Sequence, residues 1–102
     1  MLKHEIEVTE RGTVAKLSGA LEFSQRQAFQ AVIKAIETAD GDHFFVDIRE
    51  LDSVDSSGLG LLVTARKAAE RRNMRVVLRT AQGIVREILG IAHFEQIFLI
   101  EE

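Results

Sequence analysis

The sequence predicts a single α/β domain in which helices pack on a mixed, mostly parallel β-sheet. Along the chain, segments with the two-residue apolar alternation of strands are followed by segments with the three- and four-residue apolar spacing of helices. The resulting order is β-β-α-β-α-β-α-β, and the 102 residues, 46% of them apolar, suit one hydrophobic core. We therefore expect one domain over residues 1–102, with parallel strands in each β-α-β unit and an antiparallel opening hairpin.

The first part of the chain predicts this hairpin and a helix after it. Segments 6–8 and 13–19 alternate as strands do, and the turn 10–12 separates them. Ser24 and Gln27 have the S-x-x-Q spacing of a capping box, which predicts that a helix begins at Ser24. The apolar face of that helix comprises Phe29, Val32, Ile33 and Ile36.

The middle of the chain predicts a buried strand, an acidic loop and a second helix. Segment 44–48 is apolar apart from one carboxylate, which is typical of a central strand covered on both faces. We expect an acidic loop over residues 49–58 and then a helix to about Arg72. Its packing face is a stripe of small and apolar residues, Leu61, Leu62, Ala65, Ala68 and Ala69.

The last part of the chain predicts a strand, a third helix and a terminal strand. Segment 74–79 alternates as a strand, and Thr80 is a suitable N-cap for the helix that follows. Gly90 fits the C-terminal end of this helix, because glycine readily adopts the left-handed conformation found there. The apolar segment 97–100 is then the terminal strand.

The composition excludes several classes of function. Without cysteine there are no disulfides, thiol chemistry or cysteine-bound metals, and His4, His43 and His93 lack metal-ligand spacing, so we expect no metal and no cofactor. The net charge of −3 and the scattered basic residues argue against nucleic-acid binding. No apolar stretch approaches the ~20 residues of a membrane span and no signal peptide is evident, so we expect no membrane insertion and a cytoplasmic location.

The stretch 54–62, Val-Asp-Ser-Ser-Gly-Leu-Gly-Leu-Leu, raises the question of chemistry, and enzymatic interpretations fit it poorly. Gly58 and Gly60 supply G-x-G, but Val63 stands where a dinucleotide motif needs glycine, and no P-loop lysine follows. The serines lack the G-x-S-x-G frame of a nucleophile elbow, and no histidine is placed to act as their base. Asp47, near the end of a strand, is placed as in a phospho-aspartate receiver, but the chain lacks the acidic pair and the late lysine that receivers need. We therefore expect no enzymatic activity.

A serine that accepts a phosphate is the remaining chemical interpretation. Ser56 and Ser57 lie where the loop meets the helix, and either Asp55 or Ser56 can act as N-cap. The unpaired N–H groups and the positive end of the helix dipole favour a phosphate there by about 0.3–1 kcal/mol. Gly58 would leave space for a visiting kinase. The same string is also an ordinary helix cap, and the residues by themselves leave both interpretations open.

Three stretches of the chain carry a resemblance to the anti-sigma factor antagonist family of STAS domains. The resemblance covers essentially the full length of the chain. The three stretches are Leu-Ser-Gly-Ala-Leu-Glu-Phe at 17–23, the long stretch 44–78 that contains Asp-Ser-Ser-Gly-Leu-Gly, and 85–100. The resemblance implies a STAS-like fold without enzymatic activity. It further implies that Ser57, the second serine of the string, is the phosphorylated residue, with Ser56 as the alternative.

The family resemblance also implies the partners. Unmodified protein would bind an anti-sigma factor that is also a serine protein kinase and would release the sigma factor. Phosphorylation of Ser57 would abolish this binding, and a serine phosphatase would reset it. Other STAS domains are accessory subunits of transporter or stress-signalling complexes without a phosphorylation switch, and a nucleotide-sensing module is a third, weaker alternative.

The expected partner contacts surround Ser57. Glu22 stands where the family usually has aspartate, so its carboxylate reaches further by one methylene. Leu59 and Val63 fit either an apolar interface centre or packing against a neighbouring helix. A phosphoserine would add about −1.5 to −2 charges beside the acidic residues and so oppose binding. The candidate contact residues are Glu22, Asp52, Asp55, Ser56, Gly58, Leu59 and Val63.

Overall fold

A computed structural model describes all 102 residues as a five-stranded mixed sheet with three α-helices. The strands are β1 (Leu2–Thr9), β2 (Gly12–Leu21), β3 (His43–Val54), β4 (Arg75–Arg79) and β5 (Leu99–Glu101). The helices are α1 (Arg26–Thr38), α2 (Ser56–Glu70) and α3 (Gly83–Ile91), with 3-10 turns at Phe23–Gln25 and Phe94–Gln96. The predicted fold class and element order are confirmed. None of the three helices is both long enough and apolar enough to cross a membrane.

The three helices lie on one face of the sheet. The strands follow chain order, β1-β2-β3-β4-β5, with β1 antiparallel to β2 and the remaining pairs parallel. Because every crossover advances in the same direction across the sheet and such crossovers are right-handed, all of them must pass over the same side. The main core lies there and joins strands to helices through residues such as Phe44, Val46, Ile48, Phe29, Leu62 and Val85.

The opposite face carries no helix, which corrects the prediction that the central strand is covered on both faces. Phe45 is buried there with its cross-strand neighbours Val14 and Val77. The guanidinium carbons of Arg11 and Arg79 lie 4.7 and 4.8 Å from the centre of its ring. Side chains of the sheet itself, and two cation–π contacts, therefore shield this phenylalanine from water.

The acidic loop expected over residues 49–58 is mostly strand, so this prediction was wrong. β3 continues to Val54 and pairs with β2 throughout, with two register shifts that absorb extra residues. Leu51 and Val54 face the core, while the acidic side chains of Glu50 and Asp52 stay exposed. Asp55 alone separates β3 from α2.

The start of α1 differs from the predicted capping box. Residues Phe23–Gln25 form a 3-10 turn, and the α-helix begins at Arg26 without a side-chain cap. The side chain of Gln25 instead accepts a hydrogen bond from the N–H of Leu2 at 2.9 Å, which ties the turn to β1. The apolar face is confirmed, with Phe29, Val32 and Ile36 buried and Ile33 half-buried.

The ends of α3 also differ from the prediction. Thr80 has a positive φ of 59° and donates its N–H to the carbonyl of Glu101 at 2.7 Å, so it cannot cap the helix. The helix begins at Gly83, and Gly90 lies inside it. The left-handed residue expected at the C-terminal end is His93, with a φ of 57°.

Candidate functional site

The junction of β3 and α2 lies at the edge of the sheet where parallel strands end. Leu21, the last residue of β2, pairs with Val54, the last residue of β3. The N–H of Asp55 donates to the carbonyl oxygen of Leu21 at 3.3 Å. The start of α2 is thereby fixed beside the carboxyl end of β2.

Asp55 is the N-cap of α2, which decides between the two caps that the sequence allowed. Its backbone is extended, with φ −104° and ψ −177°, and its carboxylate accepts the N–H of Gly58 at 2.7 Å. Its carbonyl oxygen accepts the N–H of Leu59 at 2.9 Å, the first helical hydrogen bond. Ser56 and Ser57 are therefore the first two helical residues, positions whose N–H groups a helix leaves unpaired.

Both serines are exposed, and the open surface lies between them. Ser56 and Ser57 project about 100° apart around the helix axis, on either side of Gly60. A Cβ atom placed on Gly60 would meet no atom within 4 Å. The surface of this turn between the two serines is therefore open to solvent.

Each serine shares its side of α2 with different neighbours. Leu59 and Val63 lie on the side of Ser56; both are half-buried and pack against the main core, with part of each side chain left accessible. Leu61 and Thr64, four and seven positions after Ser57, lie on its own side, half-buried and exposed. The sequence analysis placed Leu61 in the packing face and did not consider Thr64, although the helical spacing of both from Ser57 puts them on its side.

Gly58 lies on the buried side of α2 and does not provide the space that we expected for an approaching kinase. A Cβ atom at this position would lie 1.9 Å from the carbonyl oxygen of Leu21 and 2.8 Å from Cγ2 of Val54. Only glycine lets α2 approach the ends of both strands so closely. The open space lies two residues further on, at Gly60.

The structure brings two of the three predicted acidic residues to the junction. Glu22 follows Leu21 directly and is half-buried, and Asp55 is exposed at the helix start. Asp52 is exposed on the helix-free side, where it lines a shallow groove with Lys3 and other residues. The charge that a partner meets beside Ser57 is therefore set chiefly by Glu22 and Asp55, and α2 has no basic residue before Arg66.

The strongest charge network of the domain lies away from this junction. On the helix-free face Glu101 accepts hydrogen bonds from Arg11 at 2.8 and 3.1 Å and from Arg79 at 3.0 Å. These bonds, that of Arg11 foremost, hold the pKa of Glu101 below its ordinary value of 4.5. No group of three or more His, Cys, Asp or Glu side chains is arranged to hold a metal ion.

Comparison with known proteins identifies the family. The family model described as "Mlab, STAS domain" matches residues 4–101. A STAS-domain containing protein of Pseudomonas aeruginosa is 32% identical over 85 residues, which cover 83% of this chain and 83% of that protein. The chain therefore belongs to the STAS domain family.

Solved structures share the fold at low sequence identity. An anti-sigma-factor antagonist (STAS) domain protein of Planctomyces limnophilus has a TM-score of 0.84 and 16% identity, covering 97% of this chain and 89% of that one. The anti-sigma factor antagonist SpoIIAA has a TM-score of 0.76 unphosphorylated, with coverages of 96% and 87%. The phosphorylated form of SpoIIAA from Bacillus has a TM-score of 0.69, and the match covers 96% of this chain and 90% of that one. Both forms are 21% identical to this chain.

A further solved structure with this fold is a sulfate transporter family protein of Wolinella succinogenes. Its TM-score is 0.70 at 16% identity, and the match covers 86% of this chain and 74% of that one. At these identities the likeness of all the solved structures establishes the fold alone. The fold is that of SpoIIAA-like STAS domains, which confirms the expected class.

Proposed function

We propose that this STAS domain is an anti-sigma factor antagonist whose partner binding is switched by phosphorylation of Ser57. The observation that carries the proposal is an exposed serine in the first turn of a helix whose start is fixed to the ends of β2 and β3. In its unmodified form the protein binds a partner that is both anti-sigma factor and serine kinase, which frees the sigma factor. Phosphorylation ends the binding, and a phosphatase restores it.

Exposure and backbone geometry support the chemistry at this position. A phosphate on Ser57 would extend into solvent and leave the core in place, because the side chain starts from the exposed side of α2. The helix dipole would stabilise the added charge by about 0.3–1 kcal/mol. Ser56 is exposed as well, so the choice of Ser57 rests on its place in the family motif.

Charge at the junction gives the proposed release a physical cause. A phosphoserine carries about −1.5 to −2 charges, and the carboxylate of Asp55 already occupies the N–H of Gly58. A hundredfold loss of affinity needs only about 2.7 kcal/mol. Burying the phosphate under a partner that offers it no cation costs several kcal/mol of desolvation, so release needs no change of fold.

A second candidate function is an accessory subunit of a transport complex. The likeness to the Wolinella sulfate transporter family protein supports this alternative at the level of the fold. In such a complex the same helix start would be a fixed contact surface, and the charge state of Ser57 would not control assembly. The two functions therefore differ in how binding responds to a charge at position 57.

The test is affinity capture from a lysate of the organism that encodes the chain, with wild type, Ser57→Ala and Ser57→Asp as baits. We expect wild type and Ser57→Ala to retain an anti-sigma factor with a kinase domain, identified by mass spectrometry, and Ser57→Asp to lose it. Gln30→Glu, which adds a charge at an exposed position of α1, is the control and should behave as wild type. Equal capture of one partner by all baits would contradict the switch, and a transporter component among the captured proteins would favour the second candidate.

A further inference from the structure

We infer that Phe23 is a recognition residue that inserts into an apolar pocket of the partner that covers the Ser57 turn. The inference rests on the proposed function, because the partner is the one that covers the Ser57 turn. It adds a residue and a partner chemistry that the family motif does not contain.

Phe23 is the one exposed aromatic side chain of the domain. The chain has six phenylalanines, of which five are buried at 6% exposure or less, whereas Phe23 is 58% exposed. It belongs to neither apolar cluster and is not among the half-buried residues that pack against them. A large ring left in water contributes little to the core, and its removal from water is available to a binding partner.

The ring is also held in place before any partner arrives. Phe23 begins the 3-10 turn Phe23–Gln25, and the guanidinium carbon of Arg26 lies 4.2 Å from the centre of its ring. Nη1 of Arg26 donates to the carbonyl oxygen of Phe23 at 3.2 Å. An ordered side chain loses less conformational entropy on binding than a free one, so this arrangement favours affinity.

The position of Phe23 connects it to the Ser57 turn. It lies two residues after Leu21, whose carbonyl oxygen accepts the N–H of Asp55. An aromatic anchor with an arginine on its face is typical of the residues that dominate binding energy at interfaces.

The test measures the affinity of the purified anti-sigma kinase recovered in the capture experiment for Phe23 variants. Phe23→Ala should raise the Kd about thirtyfold or more, as expected for a buried aromatic hot spot. Arg26→Ala keeps the Phe23 ring but removes the guanidinium group that holds it, so this variant should raise the Kd by a smaller factor. Val8→Ala is the matched control, since Val8 is 81% exposed and lies beside the start of β2, at the opposite end from Phe23.

The outcomes separate this inference from the proposed function. If Phe23→Ala binds as wild type while Ser57→Asp does not bind, the inference is overturned and the switch stands. If no kinase is recovered, or Ser57→Asp binds unchanged, the proposed function fails and the inference fails with it. Should Phe23→Ala convert a wild-type dimer into a monomer in analytical ultracentrifugation without loss of kinase affinity, self-association would replace the partner pocket. Unaltered thermal melting of Phe23→Ala and Phe23→Leu excludes unfolding as the cause of a lost affinity.

Discussion

The N–H of Asp55 donates to the carbonyl oxygen of Leu21 at 3.3 Å, and this hydrogen bond joins the start of α2 to the end of β2. Two features proposed for partner binding therefore share one rigid support: Ser57 follows Asp55, and Phe23 follows Leu21. A partner that contacts both would meet a preformed surface. Changes at this support should act on stability, whereas changes at the two exposed side chains should act on binding.

Replacement of Gly58 by alanine should destabilise the domain strongly. The added methyl would lie 1.9 Å from the carbonyl oxygen of Leu21, a backbone atom that cannot rotate away, so α2 must move outward. Forced overpacking of this kind lowers the free energy of unfolding by about 1–3 kcal/mol, and we expect the upper end of that range. Urea denaturation followed by circular dichroism measures the loss.

Gly60→Ala is the matched control for this prediction. A methyl group there meets no atom within 4 Å, and alanine favours a helix over glycine by up to about 1 kcal/mol. The variant should therefore be as stable as wild type or more stable. Equal losses in the Gly58 and Gly60 variants would show that the contact with Leu21 is not what holds α2 in place.

The side chain of Asp55 should stabilise α2 as an acceptor and not through its charge. Asp55→Ala removes the hydrogen bond to the N–H of Gly58 and should lower the free energy of unfolding by about 1 kcal/mol. Asp55→Asn keeps an oxygen acceptor and should stay close to wild type, because Asn and Asp are comparable N-caps. Thermal unfolding of both variants at neutral pH checks this order of stabilities. An asparagine variant as unstable as the alanine variant would refute the prediction that Asp55 acts as an acceptor.

Stability should depend on pH through Glu101. Because its pKa is lowered in the folded state, chiefly by the hydrogen bonds from Arg11, its contribution is fully present above its ordinary value of 4.5. That contribution is lost as the pH falls through the lowered, folded-state pKa. Glu101→Gln should therefore lower the Tm at pH 7, and the difference from wild type should shrink as the pH falls below about 4.5.

The control for this pH dependence is Glu10→Gln, a change at an exposed residue of the β1–β2 turn. Melting curves of the three proteins recorded between pH 3 and pH 7, with about half a pH unit between points, are sufficient, since each titration spans about two units. A difference between Glu101→Gln and wild type that stays constant over the whole range would mean that the ion pair with Arg11 does not stabilise the fold.

The sequence allowed the fold to be predicted where local pattern and tertiary packing agree. The apolar periods of β2, α1 and α2 predicted their buried faces correctly. Predictions failed where tertiary hydrogen bonds override a local motif: the Ser24–Gln27 capping box does not form in a turn that Gln25 ties to Leu2, and Thr80 is held in a left-handed conformation by its bond to Glu101. The extension of β3 to Val54 depends on register shifts against β2, which a single-strand pattern does not reveal.

The sequence indicated the candidate residues of the site, and the structure adds their arrangement. The motif indicated Ser57, and the structure adds that Asp55 is the cap, that Gly58 is a packing position and that Gly60 is the open one. Asp52 lies apart from the junction on the helix-free side, because it follows the core residue Leu51 and successive strand side chains point to opposite faces. Phe23 is exposed in a 3-10 turn, which the sequence did not predict because its pattern indicated a capping box beginning at Ser24.

The affinity of the purified anti-sigma kinase for protein carrying phosphoserine at position 57 tests the central claim most directly. Phosphoserine introduced during translation gives a homogeneous sample, and unmodified protein and protein with phosphoserine at position 56 are measured beside it. We predict that the phosphate at Ser57 weakens binding at least about a hundredfold, or about 2.7 kcal/mol, while circular dichroism shows the same fold. An affinity equal to that of unmodified protein would contradict the account.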